Sequence, residues 1–284
     1  KPVNMRVLQL RNLHYSEIFR RTAGGFGSFA GRLAGYATGR ERPSFENLLR
    51  GYADGIAAPF RSDTVERGLR AALTEPGMTN DFRELPRKLY IGATDHDSRE
   101  HVLFGTQGHD HVPISQAIQA SLSFNPVFAP VEIEGRMYID GAITRTSNFV
   151  EAIKLGADLI FVIDPFLPYV SKQPGEKKRR GVLYNMDQDI RTITYTRFDN
   201  TRDWVLRQHP EVSCFTFLPA NSLRGLMGSN PMDARPFFEI WKGAYLSTLQ
   251  RMLTIQHRLA GDARPHGFQI DVTRAKEVGA RLER

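Results

Sequence analysis

The pattern of apolar and polar positions divides the chain into stretches of different character. Residues 1–80 read as helical or irregular. Val7, Leu10, Leu13 and Ile18 fall near one face of a helix, and Phe45, Leu48, Leu49 and Tyr52 mark another that starts near Ser44. Between them lies Gly24-Gly25-Phe26-Gly27-Ser28-Phe29-Ala30-Gly31, a mobile or tightly turning segment. A third helix is expected from Asp63, whose carboxylate can cap it. Val65, Leu69 and Leu73 form its apolar side, and Pro76-Gly77 ends it.

The period changes after residue 82. Lys88-Leu89-Tyr90-Ile91-Gly92-Ala93-Thr94 and Val102-Leu103-Phe104 read as strands, and Pro113 suits the first turn of a helix carrying Ile114, Ala117, Ile118 and Leu122. Glu132-Ile133 and Met137-Tyr138-Ile139 flank Glu134-Gly135-Arg136, which predicts a small hairpin. A short helix from Asn148 to Leu155, stopped by Gly156, leads into Leu159-Ile160-Phe161-Val162-Ile163. That unbroken apolar run has the composition of a strand buried on both faces. Strands alternating with helices predict a layered α/β fold with a largely parallel sheet.

After Pro168 the pattern turns helical again. The longest segment, 236–257, places Phe237, Ile240, Trp241, Ala244, Leu246, Leu249 and Leu253 near one face. Core packing accounts for that stripe, and a lid facing lipid is the sharper alternative. The organisation expected is a core over residues 1–165 and a helical C-terminal extension, 166–284, packed on it.

Composition narrows the function classes without choosing among them. With 41% hydrophobic residues the chain can form a substantial core, and no apolar run reaches the length of a membrane-spanning helix. Cys214 is the only cysteine, which rules out an internal disulfide and a cysteine-rich metal site. His109-Asp110-His111 has no third ligand in pattern and reads as solvated. The net charge of +7 permits attraction to nucleic acid or to anionic headgroups. Its one dense cluster, Glu176-Lys177-Lys178-Arg179-Arg180-Gly181, lacks the interleaved aromatics of a nucleic-acid platform, so a solvated surface is the plainer reading.

The specific signal lies between residues 85 and 165. It runs through Lys88-Leu89-Tyr90-Ile91-Gly92-Ala93-Thr94-Asp95, the helix ending Ala120-Ser121, Pro126-Val127-Phe128-Ala129-Pro130-Val131, Tyr138-Ile139-Asp140-Gly141-Ala142 and Leu155-Gly156-Ala157-Asp158-Leu159-Ile160-Phe161-Val162-Ile163-Asp164-Pro165. This ordered series resembles the second half of the catalytic domain of patatin-like phospholipases. The resemblance implies a three-layer α/β/α fold with a mostly parallel central sheet. It also implies a lipid acyl hydrolase built on a serine–aspartate dyad, without histidine, cofactor or metal. Asp140 matches the family's aspartate in its Asp-Gly-Ala turn and would be the general base. A serine hydroxyl is a weak nucleophile until a positioned base takes its proton, and a carboxylate partly shielded from water is basic enough to do so. Asp95 and Asp164 each follow a strand and read as structural acids.

The family's Gly-x-Ser-x-Gly elbow is absent from this sequence. Ser28 comes nearest, but Phe26 and Ala30 stand where the strained elbow needs glycine. Gly24-Gly25-Phe26-Gly27 is only a weak match to an oxyanion loop. Because the first 80 residues read as helices that follow an elbow, the resemblance places the nucleophile upstream of Lys1, on a missing segment or a second chain. The alternative is a catalytically inactive lipid-binding or regulatory module. Thr144-Arg145-Thr146-Ser147-Asn148 departs from the residues that often follow the family's Asp-Gly turn, which bears on substrate preference. The implied partner is a phospholipid or other acyl ester, with association at a membrane surface; nothing implies nucleic acid, and the compartment stays open.

Overall fold

The computed structural model describes residues 20–21, 60–125, 127–228 and 235–283. The helices expected near Val7 and Ser44, the glycine-rich segment and Ser28 lie outside the described residues. The chain divides into two compact units, Lys1–Arg145 and Thr146–Arg284. That division falls before Asn148 rather than after Pro165, so Leu159–Ile163, read from the sequence as part of the first domain, stands in the second unit.

In the first unit a two-residue ladder, β1 (Arg20–Arg21) with β2 (Phe60–Arg61), precedes helix α1 (Asp63–Leu73). There follow β3 (Ile91–Asp95), β4 (His101–Phe104), α2 (Ile114–Ser121), β5 (Val131–Ile133) and β6 (Arg136–Asp140). Asp63 does not cap α1 from outside: it is the first helical residue, and its carboxylate pairs with Arg61 Nε at 2.9 Å. Strands β4-β3-β6-β5 form one sheet, antiparallel at every pairing. Residues 96–100 are too few for the crossover that a parallel pair requires, so β3 and β4 must form a hairpin. The turn between β5 and β6 is Glu134–Gly135, with φ of 53° and 78°. Both positions are left-handed, which is the type I′ geometry that suits the twist of a two-residue hairpin.

The core of this unit joins the sheet to α2. Ala93, Phe104, Ala117 and Ala120 are fully buried, together with Ile114, Val131, Ile133 and Tyr138. The rings of Phe104 and Tyr138 meet edge to face at 5.3 Å. Each large side chain buried here contributes about 1.5–3 kcal/mol. A buried acid, Glu66 of α1, is satisfied by Ser115 Oγ of α2 and by Arg70 Nε, both at 2.8 Å.

The second unit contains α3 (Phe149–Lys154), β7 (Leu159–Ile163), α4 (Val182–Gln208), β8 (Ser213–Phe217), α5 (Asn221–Met227), α6 (Phe237–Thr254), α7 (Gln256–Ala263) and α8 (Thr273–Glu283). Strands β7 and β8 pair in parallel, Leu159 opposite Ser213 through Ile163 opposite Phe217. The largely parallel sheet expected from the sequence is met among the described residues in this pair alone. Ile160 and Val162 are buried in a cluster with Phe149, Phe198 and Val205, while Phe215 and Phe217 pack with Leu259. The apolar run Leu159–Ile163 is not buried on both faces: Phe161 is 48% and Ile163 80% exposed. Helix α6 carries no buried residue. The core explanation of its stripe fails at its first turns, where Phe237, Phe238 and Trp241 are 56%, 58% and 44% exposed.

Candidate active site around the Asp140 turn

Asp140 is the last residue of β6, opposite Ala93 of β3. Because β6 runs antiparallel to both neighbours, the rule that parallel sheets present their sites at the carboxyl edge does not account for its position. The local chemistry does. The chain leaves the strand in a 3-10 turn, Gly141–Ile143, and the Ala142 N–H donates to Asp140 Oδ1 at 2.7 Å. Gly141 is required by space rather than by φ: a Cβ there would lie 2.4 Å from the carbonyl oxygen of Gly92 and 2.7 Å from its carbon. The turn is thus pressed directly onto the backbone of β3.

Hydrogen bonds from three elements fix that turn. The Asp140 N–H donates to the carbonyl of Ser123 at 3.0 Å, and its carbonyl accepts from Thr94 Oγ1 at 2.9 Å. Thr144 Oγ1 lies 2.9 Å from Thr94 Oγ1 and 3.0 Å from His101 Nδ1. A hydroxyl has one hydrogen to give. That of Thr94 is used on Asp140, and that of Thr144 has Thr94 Oγ1, His101 Nδ1 and the Gly141 carbonyl (3.2 Å) within reach. The Gly141 carbonyl accepts from the N–H groups of Thr144 and Arg145 at 3.2 and 2.9 Å. Thr94, His101, Ser123 and Thr144 have no motif; their partners lie up to 50 residues away in sequence.

The Asp140 carboxyl is half-buried. Burial raises its pKa above the ordinary carboxylate value, and the Ala142 N–H opposes that in part. Desolvation penalises the charged form, so the group is a stronger base than an exposed aspartate. No serine hydroxyl among the described residues bonds this carboxylate. Ser123 accepts from the Asp140 N–H through its carbonyl, and its hydroxyl is engaged by the Gln119 carbonyl at 2.8 Å and Ser62 Oγ at 3.3 Å.

The other singled-out residues sit elsewhere. Asp95 is buried and accepts the N–H groups of Asp97 and Ser98, both at 3.0 Å, and Arg136 Nε at 2.7 Å. The Ser98 N–H first, and then Arg136, hold its pKa down at about 2. It is a loop-binding acid, as its position after a strand suggests. Asp164 follows β7; its Oδ1 accepts from the Phe166 N–H at 2.9 Å, and burial raises its pKa. His111 Nε2 meets Glu134 Oε1 at 2.8 Å, and the His109 ring stands edge-on to Phe104. Among the described residues no three of His, Cys, Asp and Glu converge as metal ligands. Burial raises the pKa of the Cys214 thiol, which disfavours its reactive thiolate. In the basic run, Arg180 lies over the Tyr184 ring at 5.5 Å and Lys177 over Tyr169 at 6.0 Å. These aromatics come from neighbouring segments, so the run itself could not reveal them.

No helix among the described residues is long and apolar enough to cross a membrane. The family model for patatin-like phospholipase matches residues 11–153, a span that holds Asp140, Gly141 and the strands that position them. No curated protein matches the chain.

Proposed function

Because this chain belongs to the patatin-like phospholipase family, we propose that Asp140 is the general base of a serine–aspartate dyad that hydrolyses acyl esters of lipids. One observation carries the reading: a half-buried carboxyl of raised pKa, held on a turn that Gly141 presses against β3. In the reaction the base takes the proton of a serine hydroxyl as that oxygen attacks the ester carbonyl. An acyl-serine forms, the alcohol leaves, and water releases the acid in a second step that uses the same base. A turn fixed through Ser123, Thr94 and Thr144 spends no reorganisation on aiming the carboxylate.

The serine is not in a Gly-x-Ser-x-Gly turn of these 284 residues. In this reading it is contributed from outside them, and the substrate is a phospholipid or related acyl ester met at a lipid surface. A three-layer arrangement with a mostly parallel sheet belongs to the same proposal, as does a helical C-terminal region packed on the core. The test is labelling of the full gene product with a fluorophosphonate, followed by mapping of the modified peptide. The expected adduct is on a serine outside residues 1–284. An adduct on Ser28 or Ser123 contradicts the assignment. Complete inertness favours the second reading, an inactive lipid-binding module, for which the missing elbow speaks.

A further inference from the structure

Helix α6 begins with an aromatic ladder. Phe237, Trp241 and Tyr245 recur every four residues and Phe238 lies beside them, so all four share one side of the helix. The Phe238 and Trp241 rings are 6.0 Å apart, and those of Trp241 and Tyr245 are 6.3 Å apart. The far end is anchored, with the Tyr245 hydroxyl donating to the Ala275 carbonyl of α8 at 3.0 Å. The near end is open, at Phe237, Phe238 and Trp241. On the opposite side of the helix Gly243 stands against Leu223 of α5, while α8 covers the far end, where Tyr245, Leu246 and Leu249 stand against Gly279. An exposed cluster of large aromatics on a helix that is already packed from behind does not serve the core.

The charges around the ladder choose its occupant. Lys242 flanks it on the same helix, and Arg274 and Lys276, both exposed, bracket the Ala275 that anchors Tyr245. Glu239, the one acid of α6, lies on the other side of the helix from Trp241 and Tyr245. The unit itself is basic: residues 146–284 hold 20 of the 38 lysines and arginines and 15 of the 31 acids, a net +5 of the chain's +7. Tryptophan rings settle at the headgroup level of a bilayer, phenylalanine rings on the apolar face of an interfacial helix enter the boundary of headgroups and acyl chains, and nearby cations are drawn to anionic headgroups.

We propose that the first turns of α6 dock the protein on an anionic lipid surface, with Phe237, Phe238 and Trp241 entering the headgroup layer. This deepens the lipid-hydrolase reading by naming the face that meets the lipid, and it rests on that reading for the identity of the partner. The aromatic rings give up water for the interfacial layer, while Lys242, Arg274 and Lys276 remain above it at the phosphates. Binding then has a salt-sensitive part and a salt-resistant part, because screening weakens only the ionic attraction.

The chain contains two tryptophans, Trp204 on α4 and Trp241, which makes the test direct. Trp204→Phe leaves Trp241 as the sole indole emitter. On titration with phosphatidylcholine vesicles containing phosphatidylglycerol, its emission should shift to the blue, and brominated phosphatidylcholine should quench it. The double variant Phe237→Ser, Phe238→Ser should bind these vesicles about tenfold or more weakly with an unchanged far-ultraviolet circular dichroism spectrum. Neutral vesicles should bind less tightly than anionic ones. Quenching of Trp204 in the complementary Trp241→Phe protein, with none of Trp241, overturns the assignment of this face. So does a lack of binding, or a concentration-dependent dimer that buries Trp241 without lipid. Hydrolysis of a water-soluble ester by the full-length protein should survive the double variant, so the two readings fail separately.

Discussion

Replacing Gly141 with alanine tests the geometry of the Asp140 turn at its tightest point. The added Cβ would lie 2.4 Å from the Gly92 oxygen, 2.7 Å from its carbon and 3.1 Å from Ala93 N. All three are backbone atoms of β3, which is paired on both sides, so none can swing away as a side-chain end would. Relief to an ordinary contact requires the turn to move by about 1 Å, a displacement that costs an active site on the order of 10²-fold in rate. The movement would stretch the Thr94 bond to the Asp140 carbonyl and the bonds that Thr144 and Arg145 make to Gly141. Forcing a methyl into such a contact costs about 1–3 kcal/mol, and more where the neighbours are rigid. Urea unfolding followed by circular dichroism should place Gly141→Ala in or above that range. Gly135→Ala is the control, since nothing lies within 4 Å of its Cβ but its φ is +78°. It should lose about 1–2 kcal/mol through backbone strain alone and leave the Asp140 carboxyl titration unchanged. If Gly141→Ala is as stable as the parent and its Asp140 titrates as before, the close approach is not what fixes the turn.

Two further outcomes follow from the buried groups. Asp95, held at a pKa of about 2 against an ordinary 3.8, contributes stability that is present above about pH 4 and lost as pH falls through 2; the stability gap between parent and Asp95→Asn should close over that window, and a gap independent of pH refutes the linkage. Leu259 is fully buried against Phe215 and Phe217, so Leu259→Ala should cost about 3–5 kcal/mol in chemical unfolding, and a loss under 1 kcal/mol would mean that α7 does not seal the face of β8.

The hairpin at Glu134–Gly135 and the helix after Pro113 were legible because each depends on neighbours in sequence: a turn dipeptide in one case, a fixed φ before an apolar period in the other. Strand direction was not legible from hydrophobicity, since a short apolar strand looks alike in either sense. The loop lengths did carry it, as 96–100 is too short for a crossover. Strand β8 lies between Pro210 and Pro219 with Phe215 and Phe217 alternating against Cys214 and Thr216, a period-two signal that sequence reading passed over. Asp140 was found through its motif. The groups that hold it were not, because Thr94 reaches Asp140 across 46 residues and Thr144 across 50 reaches Thr94. Nor could the apolar composition of β7 or of α6 reveal that one face of each stays open to solvent.

The central claim is that Asp140 is the base of an acyl hydrolase whose serine these 284 residues do not supply. Its most direct test is p-nitrophenyl ester hydrolysis by three proteins: the 284-residue chain, the full-length gene product and full-length Asp140→Asn. The account predicts turnover by the full-length protein only, with Asp140→Asn folded and reduced by on the order of 10²–10⁴-fold, the contribution of general-base catalysis. Equal turnover by the 284-residue chain, or an Asp140→Asn variant as active as its parent, would contradict it.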